Sequence, residues 1–122
     1  MPFYDNPTRS RQGEGGCHQA LAALVHAIRA RCGRYGNVMI ADEIQTGFVR
    51  TGNLFAMDGN GVAADLITMT KGLAGGFALA VVVEITEIMG VSSPGGLGGT
   101  YCGNPLGINL KTALLFLNNQ LV

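Results

Sequence analysis

ADLITMTKGLAGGF, residues 64–77, decides how the rest of the chain is read. Its stretch from Asp65 to Thr70 (DLITMT) is short and largely apolar and ends at Lys71 and Gly72. A run of this length between turn signals suits a strand buried on both faces, as in a parallel sheet. Residues just beyond the carboxyl end of such a strand stand where ligands bind in open α/β sheets. Lysine is scarce in this chain, with Lys71 and Lys111 its only examples. An ammonium held between an apolar strand and a glycine turn is expected to be poorly solvated. Desolvation favours the neutral amine, which is a nucleophile and a base.

Upstream, Asn37 to Ala41 (NVMIA) has the same look and ends in Asp42-Glu43. Two strand ends thus present a carboxylate and a lysine. A carboxylate near the lysine would favour the charged amine unless it had another cationic partner. A pyridinium ring is such a partner: the carboxylate keeps its nitrogen protonated while the lysine forms an imine with its aldehyde. Taken singly, each feature has a plainer explanation. A strand-end lysine is more often an exposed charge, Asp-Glu after a strand more often a cap or turn, and GGLGG more often a flexible loop.

Further out, Leu21, Leu24, Val25, Ile28 and Cys32 fall at helical spacing within 19–32, with Arg29 and Arg31 in the last turn and Gly33 and Gly36 as stops. Leu79 to Val83 (LAVVV) is a third apolar run. Asn104-Pro105 reads as a cap followed by proline at the first helical position. Leu106, Leu110, Ala113, Leu114, Leu117 and Leu121 would give that helix an apolar face. Residues 1–16 are polar and read as irregular, and no internal repeat is visible. The expected fold is α/β: part of a mostly parallel sheet with flanking helices, incomplete because two good helices cannot cover both of its faces.

Composition points the same way. The 122 residues are 48% hydrophobic and carry 19 glycines, and 13% are charged, about half the roughly 25% usual in soluble domains. A small free-standing domain needs more charge to cover its surface, so this reads as the interior of something larger. Net charge is zero, which argues against nucleic acid or an anionic membrane as partner. Phe77 to Val83, the longest apolar run, has seven residues, against about 20 for a membrane helix. Cys17, Cys32 and Cys102 are odd in number and match no metal or redox spacing. Reduced thiols and a cytoplasmic location are expected, with the mitochondrial matrix as an alternative. The segment MPFYDNPTRSRQGEGG has no signal-peptide core. Neither GxxxxGK[ST] nor a GxGxxG after the first strand occurs, which removes two nucleotide-binding readings.

In order, QGEGG (12–16), ADEIQTGFVRTG (41–52), LFAMD (54–58), ADLITMTKGLAGGF (64–77) and PGGLGGTYCGNPL (94–106) resemble the class III, or ω-, aminotransferases of pyridoxal 5'-phosphate (PLP) fold type I. PGGLGGTY and GNP are most like the 4-aminobutyrate branch. The resemblance covers about residues 12–115 and implies a partial PLP-binding large domain over 12–122, after a non-family segment at 1–11. It implies transamination between an ω-amino acid and a 2-oxo acid. Lys71 matches the cofactor-linking lysine, which the substrate amine releases to serve as general acid and base. Asp42 matches the carboxylate on the pyridinium nitrogen, Ile44 the apolar side chain against the ring, and Gln45 the residue near the 3-hydroxyl. Thr100 matches a phosphate donor reaching across from a neighbouring subunit, which implies a homodimer. Glu14 matches a carboxylate that pairs with an arginine beyond this sequence and helps switch between amino-acid substrates.

His26 and Arg50 read as structural, His18 as a weak pocket candidate, and Cys102 as a small buried thiol. Departures from the family pattern are Arg9-Ser10-Arg11 before QGEGG, Ala78 where proline is usual, and Glu84-Ile85 after VVV. The phosphate loop, the ring-stacking aromatic residue and the small domain are expected outside these residues, so the chain alone is expected to be inactive. A truncated remnant or interaction piece without turnover, and another class III PLP activity such as a racemase or mutase, are the alternatives.

Overall fold

A computed structural model describes residues 11, 12, 16, 18–96, 98–100 and 103–120, with the backbone alone for 11, 12 and 114–120. Three strands form its central sheet: β3 (Ile40–Asp42), β4 (Leu66–Met69) and β5 (Val81–Glu84), in that order. The outlying strands β1 (Arg11–Gln12) and β2 (His18–Gln19) pair antiparallel with each other. Backbone pairing therefore begins within the segment read as irregular.

Strands β3 and β4 run parallel, with Ile40 opposite Leu66, Ala41 opposite Ile67 and Asp42 opposite Thr68. Strand β5 departs from expectation. It runs antiparallel to β4, with Met69 opposite Val81 and Leu66 opposite Glu84. The turn from Thr70 to Ala80 is too short for a crossover, and a parallel return needs a dozen residues or more. Val82 and Val83 of β5 are about half exposed, at 47% and 50%, so this run is not the doubly buried strand its composition suggests.

Helix α1 (Ala22–Tyr35) starts later and ends later than its apolar spacing indicates. Gly36, in a left-handed conformation with φ 65°, closes it, and Gly33 lies inside it. Val25, Ile28 and Cys32 face the sheet, packing with Met39, Ala41, Met57 and Val62. Leu21 and Leu24 belong to another face and are 76% and 54% exposed. The Arg29 guanidinium donates to Asp65 at 2.8 Å, and Asp65 also accepts the backbone N–H of Met39 at 2.7 Å. One carboxylate thereby joins helix α1 to the starts of β3 and β4.

A second core gathers Leu73, Ala74 and Leu79, with Phe48 and Val81 packed against it. Helix α2 (Thr86–Met89) is a single turn. Helix α3 (Pro105–Gln120) begins at Pro105, as Asn104-Pro105 indicates. The Asn104 amide donates to the carbonyl of Ala78 at 3.0 Å. Gly107 is buried, and a Cβ there would stand 3.3 Å from the Ala78 oxygen and the Leu79 Cβ. Leu106 and Leu110 of the expected apolar face are exposed instead, because the helix docks through its glycine. No helix among the described residues is long and apolar enough to cross a membrane.

Candidate active site

Parallel pairing of β3 and β4 places their carboxyl ends side by side. Asp42 is the last residue of β3, opposite Thr68. Lys71 follows β4 by two residues, in a turn closed by a 3.0 Å bond from the Leu73 N–H to the Thr70 carbonyl. The sheet therefore brings a carboxylate and an amine to one edge, as their sequence positions suggest. One expectation fails. Lys71 is exposed, so the apolar strand before it does not desolvate its amine.

Asp42 is half-buried, and one carboxylate oxygen accepts the Ile44 N–H at 3.1 Å. This bond turns the chain as it leaves β3 and fixes the carboxylate against its own backbone. Ile44, half-buried, and Gln45, exposed, lie on the turn that follows. Asp42, Ile44 and Gln45 thus form one local group beside the Lys71 turn. Thr100 is exposed in the turn region ahead of α3, whose start is tied to Ala78. Glu14 and Cys102 lie outside the described residues. His18, His26 and Arg50 are all exposed.

Glu43 is the residue sequence reasoning undervalued. It reads as the second half of a turn signal, yet it is 1% exposed. Its carboxylate accepts the N–H of Met57 at 2.9 Å, that of Ala56 at 3.1 Å, and the hydroxyl of Thr46. A buried carboxylate is tolerated when such bonds replace its water. Glu43 therefore pins the 46–57 loop to the end of β3. The only available hint was two adjacent acids after a doubly buried strand, since both backbone partners lie 13 and 14 residues away.

The same loop carries two consecutive non-glycine residues at positive φ, Phe48 at 62° and Val49 at 66°. For a β-branched residue this is a true outlier. Bonds from the N–H groups of Phe48 and Val49 to the Leu54 carbonyl, at 2.8 and 3.4 Å, hold it in place. Phe48 packs edge-on to Phe55, with ring centroids 6.1 Å apart.

A cavity of about 540 Å³ lies elsewhere, along α1, lined by Leu24, Ile28, Arg31, Arg34 and Tyr35 among others. It presents no carboxylate or lysine, and the chemistry stays at the strand ends. Among the described residues no group of three or more His, Cys, Asp or Glu could hold a metal ion.

Known proteins share this arrangement of elements. The profile of the family described as aminotransferase class-III matches residues 9–120. The chain is 53% identical over 95 residues to 4-aminobutyrate aminotransferase of Escherichia coli, covering 78% of this chain and 22% of that enzyme. It is 49% identical over 104 residues to 5-aminovalerate aminotransferase of Pseudomonas putida, covering 85% and 24% respectively. The chain thus spans about a quarter of the length of these curated relatives. Its fold superposes on an ornithine aminotransferase from Toxoplasma gondii, a structure described as having partial occupancy of PLP at the active site. The TM-score is 0.82 at 33% identity, over 93% of this chain and 27% of that one.

Proposed function

The chain belongs to the class-III aminotransferases, and on that premise we propose that it contributes the cofactor-binding part of a PLP-dependent ω-aminotransferase. The amino group of an ω-amino acid passes to a 2-oxo acid, leaving an aldehyde or ketone on the donor and an amino acid on the acceptor. The observation that carries this reading is the adjacency of two strand ends, Asp42 on β3 and Lys71 just past β4. The 4-aminobutyrate and 5-aminovalerate enzymes of E. coli and P. putida support the ω-amino donor.

The donor set fits the cofactor. An exposed primary amine can reach an aldehyde. A half-buried carboxylate, oriented by the Ile44 N–H, suits a protonated ring nitrogen, and a half-buried isoleucine offers an apolar face. When bound, PLP supplies an electron sink for the carbon that loses its proton. In our reading Lys71 holds the cofactor covalently at Nζ. The same Nζ, when not engaged with the cofactor, would take and return the proton of the reacting donor carbon. Asp42 would keep the ring nitrogen protonated through its carboxylate. Ile44 would pack on the ring, Gln45 would stand near the 3-hydroxyl, and Thr100 would donate to the cofactor phosphate of a partner subunit in a homodimer. Glu14 serves in the switch between amino-acid substrates.

The test is a product assay with 4-aminobutyrate or 5-aminovalerate as donor and 2-oxoglutarate as acceptor. Glutamate formed in step with loss of donor supports the proposal. Racemisation of an amino acid without transfer to the 2-oxo acid overturns it in favour of another PLP activity.

A further inference from the structure

We propose that Phe48 is a positioning residue for Lys71, acting through Gly72. This inference rests on Lys71 as the cofactor-linking lysine. Gly72 follows Lys71 in the Thr70–Leu73 turn. It does not adopt a positive φ, so backbone freedom is not what calls for glycine there. Space is. A Cβ at residue 72 would stand 2.8 Å from the Phe48 Cβ and 3.1 and 3.2 Å from two of its ring atoms. Such distances are closer than van der Waals contact allows. The Phe48 side chain therefore lies directly against the backbone that carries Lys71.

Several bonds keep it there. Phe48 and Val49 hold left-handed backbone conformations, clamped by Leu54. Strain of this kind persists only where the surroundings over-determine it, and it gathers at functional sites. The preceding residue, Gly47, donates its N–H to the Glu43 carbonyl at 2.9 Å, and a Cβ at 47 would meet that oxygen at 2.9 Å. Glu43 adjoins Asp42 and buries its carboxylate against the far side of the loop. A continuous line of contacts thus runs from Asp42 through Glu43, Gly47, Phe48 and Gly72 to Lys71. The two strand ends are set relative to one another by this loop as well as by the β3–β4 ladder. An exposed lysine has many rotamers, so its working position depends on how firmly its backbone is held.

The experiment compares Phe48→Leu, Phe48→Gly, Gly72→Ala and the Phe48→Gly/Gly72→Ala double variant in the whole protein. Three quantities are read: the PLP dissociation constant, the fraction of borohydride-fixed pyridoxyl label on Lys71, and the rate at which trinitrobenzenesulfonate modifies Lys71 without cofactor. Gly72→Ala and Phe48→Gly should each weaken PLP retention by on the order of tenfold or more and scatter the label. Phe48→Leu should stay close to wild type. The double variant should recover part of what Gly72→Ala loses, because glycine at 48 removes both the Cβ and the ring that the added methyl would meet, so the two effects are non-additive. Additive effects, or a Gly72→Ala variant that behaves as wild type, would overturn the proposal. If the wild type never takes label at Lys71, the functional reading fails instead. The Lys71 modification rates then still decide between coupled and independent residues 48 and 72.

Discussion

Asp42 and Thr68 stand opposite one another in the parallel register of β3 and β4, so Lys71, three residues past Thr68, leaves the sheet at the same edge as Asp42. The register makes the pair, since neither side chain is near the other in sequence. Ile44 adds orientation by donating its N–H to Asp42 at 3.1 Å. Asp42→Asn keeps an oxygen for that bond and removes the charge. Stability should change by no more than about 1 kcal/mol, while kcat falls by on the order of a hundredfold or more as the ring loses its electrostatic partner. Urea unfolding and steady-state kinetics separate the two effects. A variant equally active and equally stable would remove Asp42 from the site.

Replacing Glu43 should act on the fold first. Glu43→Ala leaves the N–H groups of Ala56 and Met57 and the Thr46 hydroxyl without their acceptor. Each orphaned buried donor costs about 1–3 kcal/mol, so a loss of roughly 3 kcal/mol or more is expected. Hydrogen exchange at the Ala56 and Met57 amides should accelerate with it. Unchanged protection at those amides would show that the loop is held by something else.

Asp65 and Arg29 offer an asymmetric pair. Their ion pair is partly exposed, at 30% for Arg29 and 23% for Asp65, and such pairs contribute only about 1 kcal/mol or less. Asp65 also accepts the N–H of buried Met39. Asp65→Ala should therefore cost about 1–3 kcal/mol and Arg29→Ala clearly less. Equal costs in chemical denaturation would mean that the ion pair, not the backbone bond, carries the effect.

Val49 is the position where stability can be gained. Its left-handed backbone, φ 66°, costs an ordinary residue about 1–2 kcal/mol and a glycine much less. Val49 is 53% exposed, so its side chain contributes little packing. Val49→Gly should raise the unfolding free energy by about 0.5–1 kcal/mol, net of the added freedom of the unfolded chain. A destabilised variant would indicate that the valine side chain has a partner.

Much of the sheet, and the strand-end placement of Asp42 and Lys71 in the candidate site, were legible in the sequence for physical reasons. NVMIA and DLITMT lack in-out alternation, and both became neighbouring parallel strands. Asp42 and Lys71 follow from standing at their ends. LAVVV has the same composition, but nothing local to it encodes direction. Its antiparallel course comes from the short turn before it and from half-exposed valines. Burial of Glu43 was hidden because its partners are backbone amides more than a turn of chain away. The backbone at Phe48-Val49 was hidden because β-branched and aromatic residues favour the opposite region of conformational space. Helix α3 was legible in its start but not in its docking face, since a buried glycine leaves no apolar signature.

The central claim is that Lys71 is the residue that holds the cofactor. Protein incubated with PLP, reduced with borohydride, digested and mapped by mass spectrometry tests it most directly. The account predicts one pyridoxyl label per chain, on the peptide containing Lys71, and its loss in Lys71→Arg with the fold intact. Label carried mainly by Lys111 or the amino terminus, or retained at the same level in Lys71→Arg, would contradict it.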